Sequence, residues 1–433
     1  MTIFKNPLIK TLQILFYLFP LSFAFGNLVI NSMVFFIVVI GTIYFRKNLF
    51  DIQNKYFFSI LISFFFIVLI SSYYNYFFFD TNKDSIKSLL YFRYLFLIFI
   101  VRALVINNFI NLNYFLNVCF LMSLFVSLDV IVQFLVGKNI SGNDALEFAM
   151  GVKYYTGIFG KELIAGGFIS MFSIIGIFAI FNLFKIKSKI INLSLFFLLI
   201  TIFLASIILS GNRMPLIMFF CFLLLLSLIY KNKEKFYFFS FAFIAFVLLS
   251  FLILNSEILL KRIGSFKAGI PNPTIIVEEL KKTYPNLKKY EKSGIPFHSL
   301  KEFKTTDNYK YYPFFTGHLP IYITSIDLFL DKPFIGGGIK AFRNNCNNII
   351  HLPNRVCENH PHNFILEILN DTGLIGLTLI ISFVFYLLIN NYRDYKFNMP
   401  EKLKISNWVY LAIILSILIY FFPLKSSGSF FST

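Results

Sequence analysis

Two short stretches hold side chains suited to proton transfer and anion binding. NHPHNFILEIL, Asn359 to Leu369, sets His360 and His362 directly before an apolar run. Pro361 suits the first helical position, with Asn359 or His360 as its cap, which places His362 in the first turn. The positive end of a helix disfavours imidazolium, and a neutral imidazole can accept a proton as a general base must. The same helix end offers free N–H groups to a phosphate. LSGNRMPLIMFF places Arg213 between two apolar runs with no acidic neighbour in the sequence. A guanidinium fits phosphate oxygens through its rigid fork of donors, though a boundary arginine reaching for lipid headgroups is an equal reading.

Other polar side chains carry weaker signals. His298, His318, His351, His360 and His362 all fall in one long polar segment, where histidines gather in any membrane protein because ionisable groups are expensive in lipid. His351, Cys357, Glu358, His360 and His362 are metal-binding types, but their spacing fits no standard zinc pattern, so no metal is expected. Cys346 and Cys357 stand eleven residues apart. In an oxidising compartment a disulfide between them is expected, two free thiols being the alternative. Cys119 and Cys221 lie inside apolar runs and read as small hydrophobes. Arg93 and Arg102 read as structural or headgroup-facing, and Asp129 as a weak candidate for a buried polar contact.

The elements that must position these groups are membrane helices. Of 433 residues, 58% are hydrophobic and only 14% charged, against roughly 25% charged in soluble domains. About eleven runs reach the length of a span, near 8–25, 28–45, 56–79, 88–106, 113–136, 162–184, 190–210, 214–230, 236–255, 373–391 and 406–424. The net charge of +18 is concentrated in alternate short loops: Arg46, Lys47 and Lys55; Lys185, Lys187 and Lys189; Lys231, Lys233 and Lys235; Arg393, Lys396, Lys402 and Lys404. The positive-inside rule makes these loops cytoplasmic, so the basic balance reports topology rather than nucleic-acid binding. The first run lacks a small-x-small cleavage site and reads as a retained span. The expected fold is an all-α polytopic membrane protein of eleven or twelve spans. Residues 1–255 hold spans one to nine, 256–361 form a large external loop, and 362–433 supply an external helix and the last spans. Ile321–Leu330 reads as an amphipathic helix on the membrane surface. Gly373 and Gly376 allow a bend where the tenth span begins.

Several separated motifs resemble the O-antigen ligase and polymerase superfamily of bacterial inner-membrane glycosyltransferases. His362-Asn363, nine residues, then Gly373-x-x-Gly376 is similar to the family's H-N-x9-G-x-x-G signature. LSGNRM resembles its S-G-x-R segment, and DKPFIGGGIKAFRNNC its loop with a Pro, a Gly-x-Gly and an Arg before a Cys. TGIFGKELIAGG and PLKSSGSFF resemble segments of polymerase-like members. The resemblance implies a glycosyltransferase class C-like bundle facing the periplasm of the inner membrane. It implies an undecaprenyl-diphosphate-linked glycan as donor, with lipid A core or a second lipid-linked glycan as acceptor, and no cofactor. Carried over, Arg213 would grip the diphosphate and His362 would assist the acceptor hydroxyl, with His360 and Asn363 beside it as substrate contacts. Members often have Gly-Arg where this chain reads Gly317-His318. The second diphosphate ligand therefore falls to Arg343, Arg262 or His318, with Arg343 preferred. A transporter or lipid flippase is the rival of another class. It predicts paired charges or Gly/Pro-broken helices at the membrane midplane, whereas these spans hold few charges and the polar density lies in the loop.

Overall fold

The computed structural model describes residues 6–50, 55–79, 84–148, 152–179, 189–229, 319–349, 355–396, 407–423, 425 and 428–431. Arg262, His298, His318, His351, the run near 236–255 and most of the large loop lie outside the described residues. The remaining ten apolar runs are all helical, because in lipid a helix satisfies every backbone polar group within itself. They are α1 (Pro7–Ser22), α2 (Asn27–Phe45), α3 (Lys55–Phe79), α4 (Ser85–Ile106), α5 (Leu112–Val136), α6 (Ala165–Gly176), α7 (Lys189–Ser210) and α8 (Arg213–Ile229), then α11 (Phe364–Lys396) and α12 (Asn407–Tyr420). Between α8 and α11 lie α9 (Leu319–Asp331) and the short α10 (Ala341–Asn345). Among the described residues five helical stretches are long and apolar enough to cross a membrane: Asn27–Phe50, Lys55–Phe79, Ser85–Ile106, Leu112–Val136 and Phe364–Asp394. The chain is an all-α polytopic membrane protein. Among the described residues its one sheet is an antiparallel pair, β1 (Leu146–Phe148) and β2 (Val152–Tyr154).

The chain forms two compact units. The first comprises Met1–Gln53, Phe96–Arg262 and Phe385–Phe422. Its core is apolar and built largely from α5 to α8 and α12. A Cβ on Gly176 of α6 would lie 2.4 Å from the Phe120 backbone nitrogen, so glycine there lets α6 press against α5. The last turns of α5 carry buried polar side chains that staple the following loop. Asp129 Oδ1 accepts from Ile140 N at 2.8 Å, and Gln133 Oε1 accepts from Gly157 N at 2.9 Å. Asp129 therefore has the buried polar contact expected of it, and its role is to hold a loop.

The second unit comprises Asn54–Leu95, Ile263–Val384 and Pro423–Thr433. Its organising feature is a break in α11 at Gly373, whose backbone (φ 64°, ψ −164°) is non-helical. The expected bend is present, but the helix starts earlier than the apolar run, so a helical stretch over 364–372 precedes the break. Leu374 and Ile375 lose their carbonyl partners four residues back. Leu374 N instead donates to Pro333 O at 2.8 Å and Ile375 N to Phe334 O at 3.2 Å. The released carbonyls of Asn370 and Asp371 accept from Gly337 N at 2.7 Å and Gly338 N at 2.9 Å. The PFIGGG loop and the broken helix thus exchange backbone hydrogen bonds, leaving no orphan donors at this depth.

A polar face of α3 locks this loop in place. Asn75 Nδ2 donates to Gly336 O at 2.9 Å, Ile339 N donates to Ser72 Oγ at 2.9 Å, and Ser71 Oγ donates to Asp371 O at 2.8 Å. Lys332 Nζ reaches Asn75 Oδ1 at 2.6 Å. Buried Ile321 of α9 packs with Phe342 and Cys346, so one face of the expected amphipathic helix is covered by the loop itself. A Cβ at position 373 would lie 2.3 Å from the Phe334 carbonyl, on a backbone that already disfavours L side chains. Gly373→Ala is therefore expected to cost about 2 kcal/mol or more. Thermal unfolding of the purified protein should show a clearly lowered midpoint, and an unchanged midpoint would contradict this packing.

Candidate functional site

Helix α11 begins at Phe364, not near Pro361 as expected. Its cap is Asn363: Leu366 N donates to Asn363 Oδ1 at 3.1 Å, and Glu367 N donates to Asn363 O at 3.0 Å. Asn363 wins over Asn359 and His360 because its amide also makes tertiary bonds. Asn363 Nδ2 donates to Pro423 O at 2.7 Å and to Lys425 O at 3.2 Å. Asn363 thereby joins the start of α11 to the segment after α12.

His362 consequently stands one residue ahead of the cap, outside the first turn, with φ 55°. A non-glycine residue there is uncommon and persists only where the surroundings over-determine it. Here buried Pro361 precedes it and the buried cap follows it. Its ring lies 4.1 Å from that of His360, centroid to centroid, and both side chains are half-buried.

Two carboxylates one turn apart on α11 join this end together. Glu367 is buried and accepts from Ser429 Oγ and, at 2.6 Å, from Phe430 N. It thereby seats the GSFF segment, where Phe431 is fully buried with its ring 5.1 Å from that of Tyr91. Asp371 is buried and caps α10, accepting from Lys340 N at 2.8 Å and Ala341 N at 3.0 Å. Sequence reasoning missed both. The signal was available: acidic residues four apart at the start of an apolar helix are costly unless they have assigned partners.

Lys425 was also missed, being one lysine among many. Its ammonium sits 5.9 Å from the Phe364 ring centroid, two residues from His362. Burial pushes its pKa down to about 8. On α10, exposed Arg343 lies three residues after Lys340. Lys340 has its pKa lowered, first by burial and next by Lys87 beside it. The disulfide joins Cys346 to Cys357 with Cα atoms 5.2 Å apart, tying the end of α10 to the segment leading to His360. Arg355 adds an ion pair to Asp327 of α9 at 2.6 Å.

Arg213 belongs to the first unit. It is the first residue of α8 and is exposed. The turn before it is held by Asn212 Nδ2, which donates to Leu163 O at 2.8 Å, and Tyr155 N donates to Leu209 O at 3.3 Å. The loop after α5 and the α7–α8 turn therefore meet at one end of the unit. The second unit likewise brings together the α3–α4 turn, the glycine loop, the start of α11 and the segment after α12.

Residues 195–381 match the protein family described as O-Antigen ligase, and the match supports the O-antigen ligase and polymerase superfamily that the motifs resemble. That stretch contains Arg213, Arg343 and His362, and leaves out Lys87 and Lys425. No curated protein matches the chain.

Two outcomes test this description. Glu367→Ala leaves the donors of Ser429 and Phe430 unpaired, at a cost of about 1–3 kcal/mol. Limited proteolysis should then cut the C-terminal segment faster than in the wild type; equal cutting rates would contradict the clasp. For Lys425, the unfolded chain holds more protons than the folded one between about pH 8 and the ordinary 10.5, so stability rises with pH through that window. In protein carrying 13C-methylated lysines, the resonance missing from Lys425→Arg should titrate near pH 8. A midpoint above 10 would contradict its burial.

Proposed function

We propose that this protein transfers a glycan from undecaprenyl diphosphate to an acceptor sugar, lipid A core, at the periplasmic face of the bacterial inner membrane. The observation that carries the reading is the H-N-x9-G-x-x-G stretch within the family match. Its asparagine caps α11, its first glycine breaks that helix, and its histidine is held in a left-handed conformation ahead of the cap. The asparagine and the first glycine of the motif have structural duties, and the histidine beside them is of the residue type suited to proton transfer.

In this reading Arg213 grips the diphosphate and His362 takes the proton of the acceptor hydroxyl. The hydroxyl oxygen attacks the anomeric carbon as the bond to the diphosphate oxygen breaks, and the diphosphate leaves with both bonding electrons. The leaving group is already activated, so catalysis is mainly positioning and stabilisation of departing charge. Arg343, with Arg262 or His318, would supply further charge to the diphosphate, and the reaction calls on no metal or cofactor. Membrane lipids surround the protein, and nucleic acid has no part in it. Polymerisation, with a second lipid-linked repeat unit as acceptor, is the second reading. It is favoured by Glu367 seating the GSFF segment that resembles polymerase-like members.

Arg213→Ala and His362→Ala are each expected to lower transfer by about two to three decades, at a cost of about 3–4 kcal/mol in the transition state. His362→Asn tolerates the left-handed backbone better, so its unfolding midpoint should match or exceed the wild type while transfer is lost. Full transfer by either the asparagine or an alanine variant would remove the role given to that residue. Lipid-linked repeat units supplied without lipid A core separate the two readings: chain elongation marks a polymerase, and its absence marks the ligase.

A further inference from the structure

Helix α9 is apolar on two opposite faces. Ile321, Thr324 and Ser325 are buried on one, where Ile321 packs with Phe342 and Cys346. On the other, Ile326 and Leu330 stand one turn apart and are 46% and 64% exposed. Phe334 follows four residues on, past the end of the helix, and is 69% exposed. A helix at a water-facing surface turns charged and polar side chains outward. Here the charge keeps to an edge of the helix, where Asp327 pairs with Arg355 at 2.6 Å.

The neighbour of this stripe follows from the two long apolar helices to which it is fastened. Lys332 Nζ reaches Asn75 Oδ1 at 2.6 Å and lies 4.3 Å from the ring centroid of Phe79, both at the end of α3. The carbonyls of Pro333 and Phe334 accept from Leu374 N and Ile375 N of α11. Both α3 and α11 are long and apolar enough to cross a membrane. Beside these fastenings each still presents bare apolar side chains, Phe77 and Phe78 on α3 and Leu374 and Ile375 on α11. The stripe is therefore continuous with surfaces that face lipid. A lysine beside an aromatic ring at the end of a span also suits the membrane interface.

We propose that α9 lies in the membrane interface with Ile326, Leu330 and Phe334 among the lipid chains of the leaflet at the Phe79 end of α3. The partner is the bilayer itself, so the inference stands apart from the transferase reading. It also reaches the histidines. The Asp327–Arg355 pair, the bond from Val356 N to Thr324 Oγ1 at 3.0 Å and the Cys346–Cys357 disulfide tie the segment before His360 to α9 and α10. The depth of α9 in the leaflet thus sets the height of that segment over the lipid.

The test uses the full-length protein in phosphatidylcholine vesicles, with and without bromine on the lipid chains near their headgroup end. The chain has 1 tryptophan, Trp408. In a Trp408→Phe background, Leu330→Trp, Phe334→Trp and Asp331→Trp each place one indole on or beside the stripe. Leu330→Trp and Phe334→Trp should each lose about half of their emission or more in the brominated vesicles, and Asp331→Trp clearly less. Matched unfolding midpoints confirm folding, and either of the first two variants reads the stripe if the other misfolds. Three results overturn the proposal. Unquenched, water-like emission places the stripe in solvent. Unquenched, blue-shifted emission with an intermolecular cross-link through Leu330→Cys places a second copy on it. Quenching that added undecaprenyl phosphate relieves places a polyprenyl ligand there instead of bulk lipid.

Discussion

The second unit depends on an exchange of backbone hydrogen bonds where α11 breaks. A helix entering a membrane has no water to take up broken pairs, so an interruption there must be matched group for group. Gly373 opens the helix, and the loop from Pro333 to Gly338 accepts two of its amides and donates to two of its carbonyls. This places the glycine loop against the start of the span. It explains why both partners are rich in glycine: a side chain at Gly336 or Gly373 would collide with the opposite backbone.

From that exchange the polar residues of the unit acquire their duties. Asp371, two residues before the break, reaches the amides at the start of α10 and so sets where Lys340 and Arg343 stand. Glu367, one turn earlier, holds the segment after α12. Asn363, one turn earlier again, caps the helix and binds the same segment. Three polar residues at intervals of four therefore form a ladder at the start of α11, and between them they fix the start of α10 and the segment after α12. A chain with so few polar side chains spends them on assembling one small region.

Much of this was legible in the sequence. Apolar run length marked ten helices, charge alternation paired the loops that do meet, and the glycine spacing marked the bend. The start of α11 was not legible. NHPHN contains several candidate caps, and a local rule favours the residue before proline. The choice of Asn363 was made by the carbonyls of Pro423 and Lys425, some sixty residues away. Lys87, Lys340 and Lys425 were hidden for a related reason. A boundary lysine and a lysine pressed against another cation look alike until the fold brings them together. Glu367 and Asp371 were the exception, since two acids four apart beside an apolar span already required partners.

The transfer proposed above requires Arg213, at the start of α8, and His362, ahead of α11, to face the same side of the membrane. The direct measurement is substituted-cysteine labelling of intact cells and inverted vesicles with a membrane-impermeant thiol reagent. That requirement predicts labelling of both positions from outside only. Labelling of the two positions from opposite sides would contradict it.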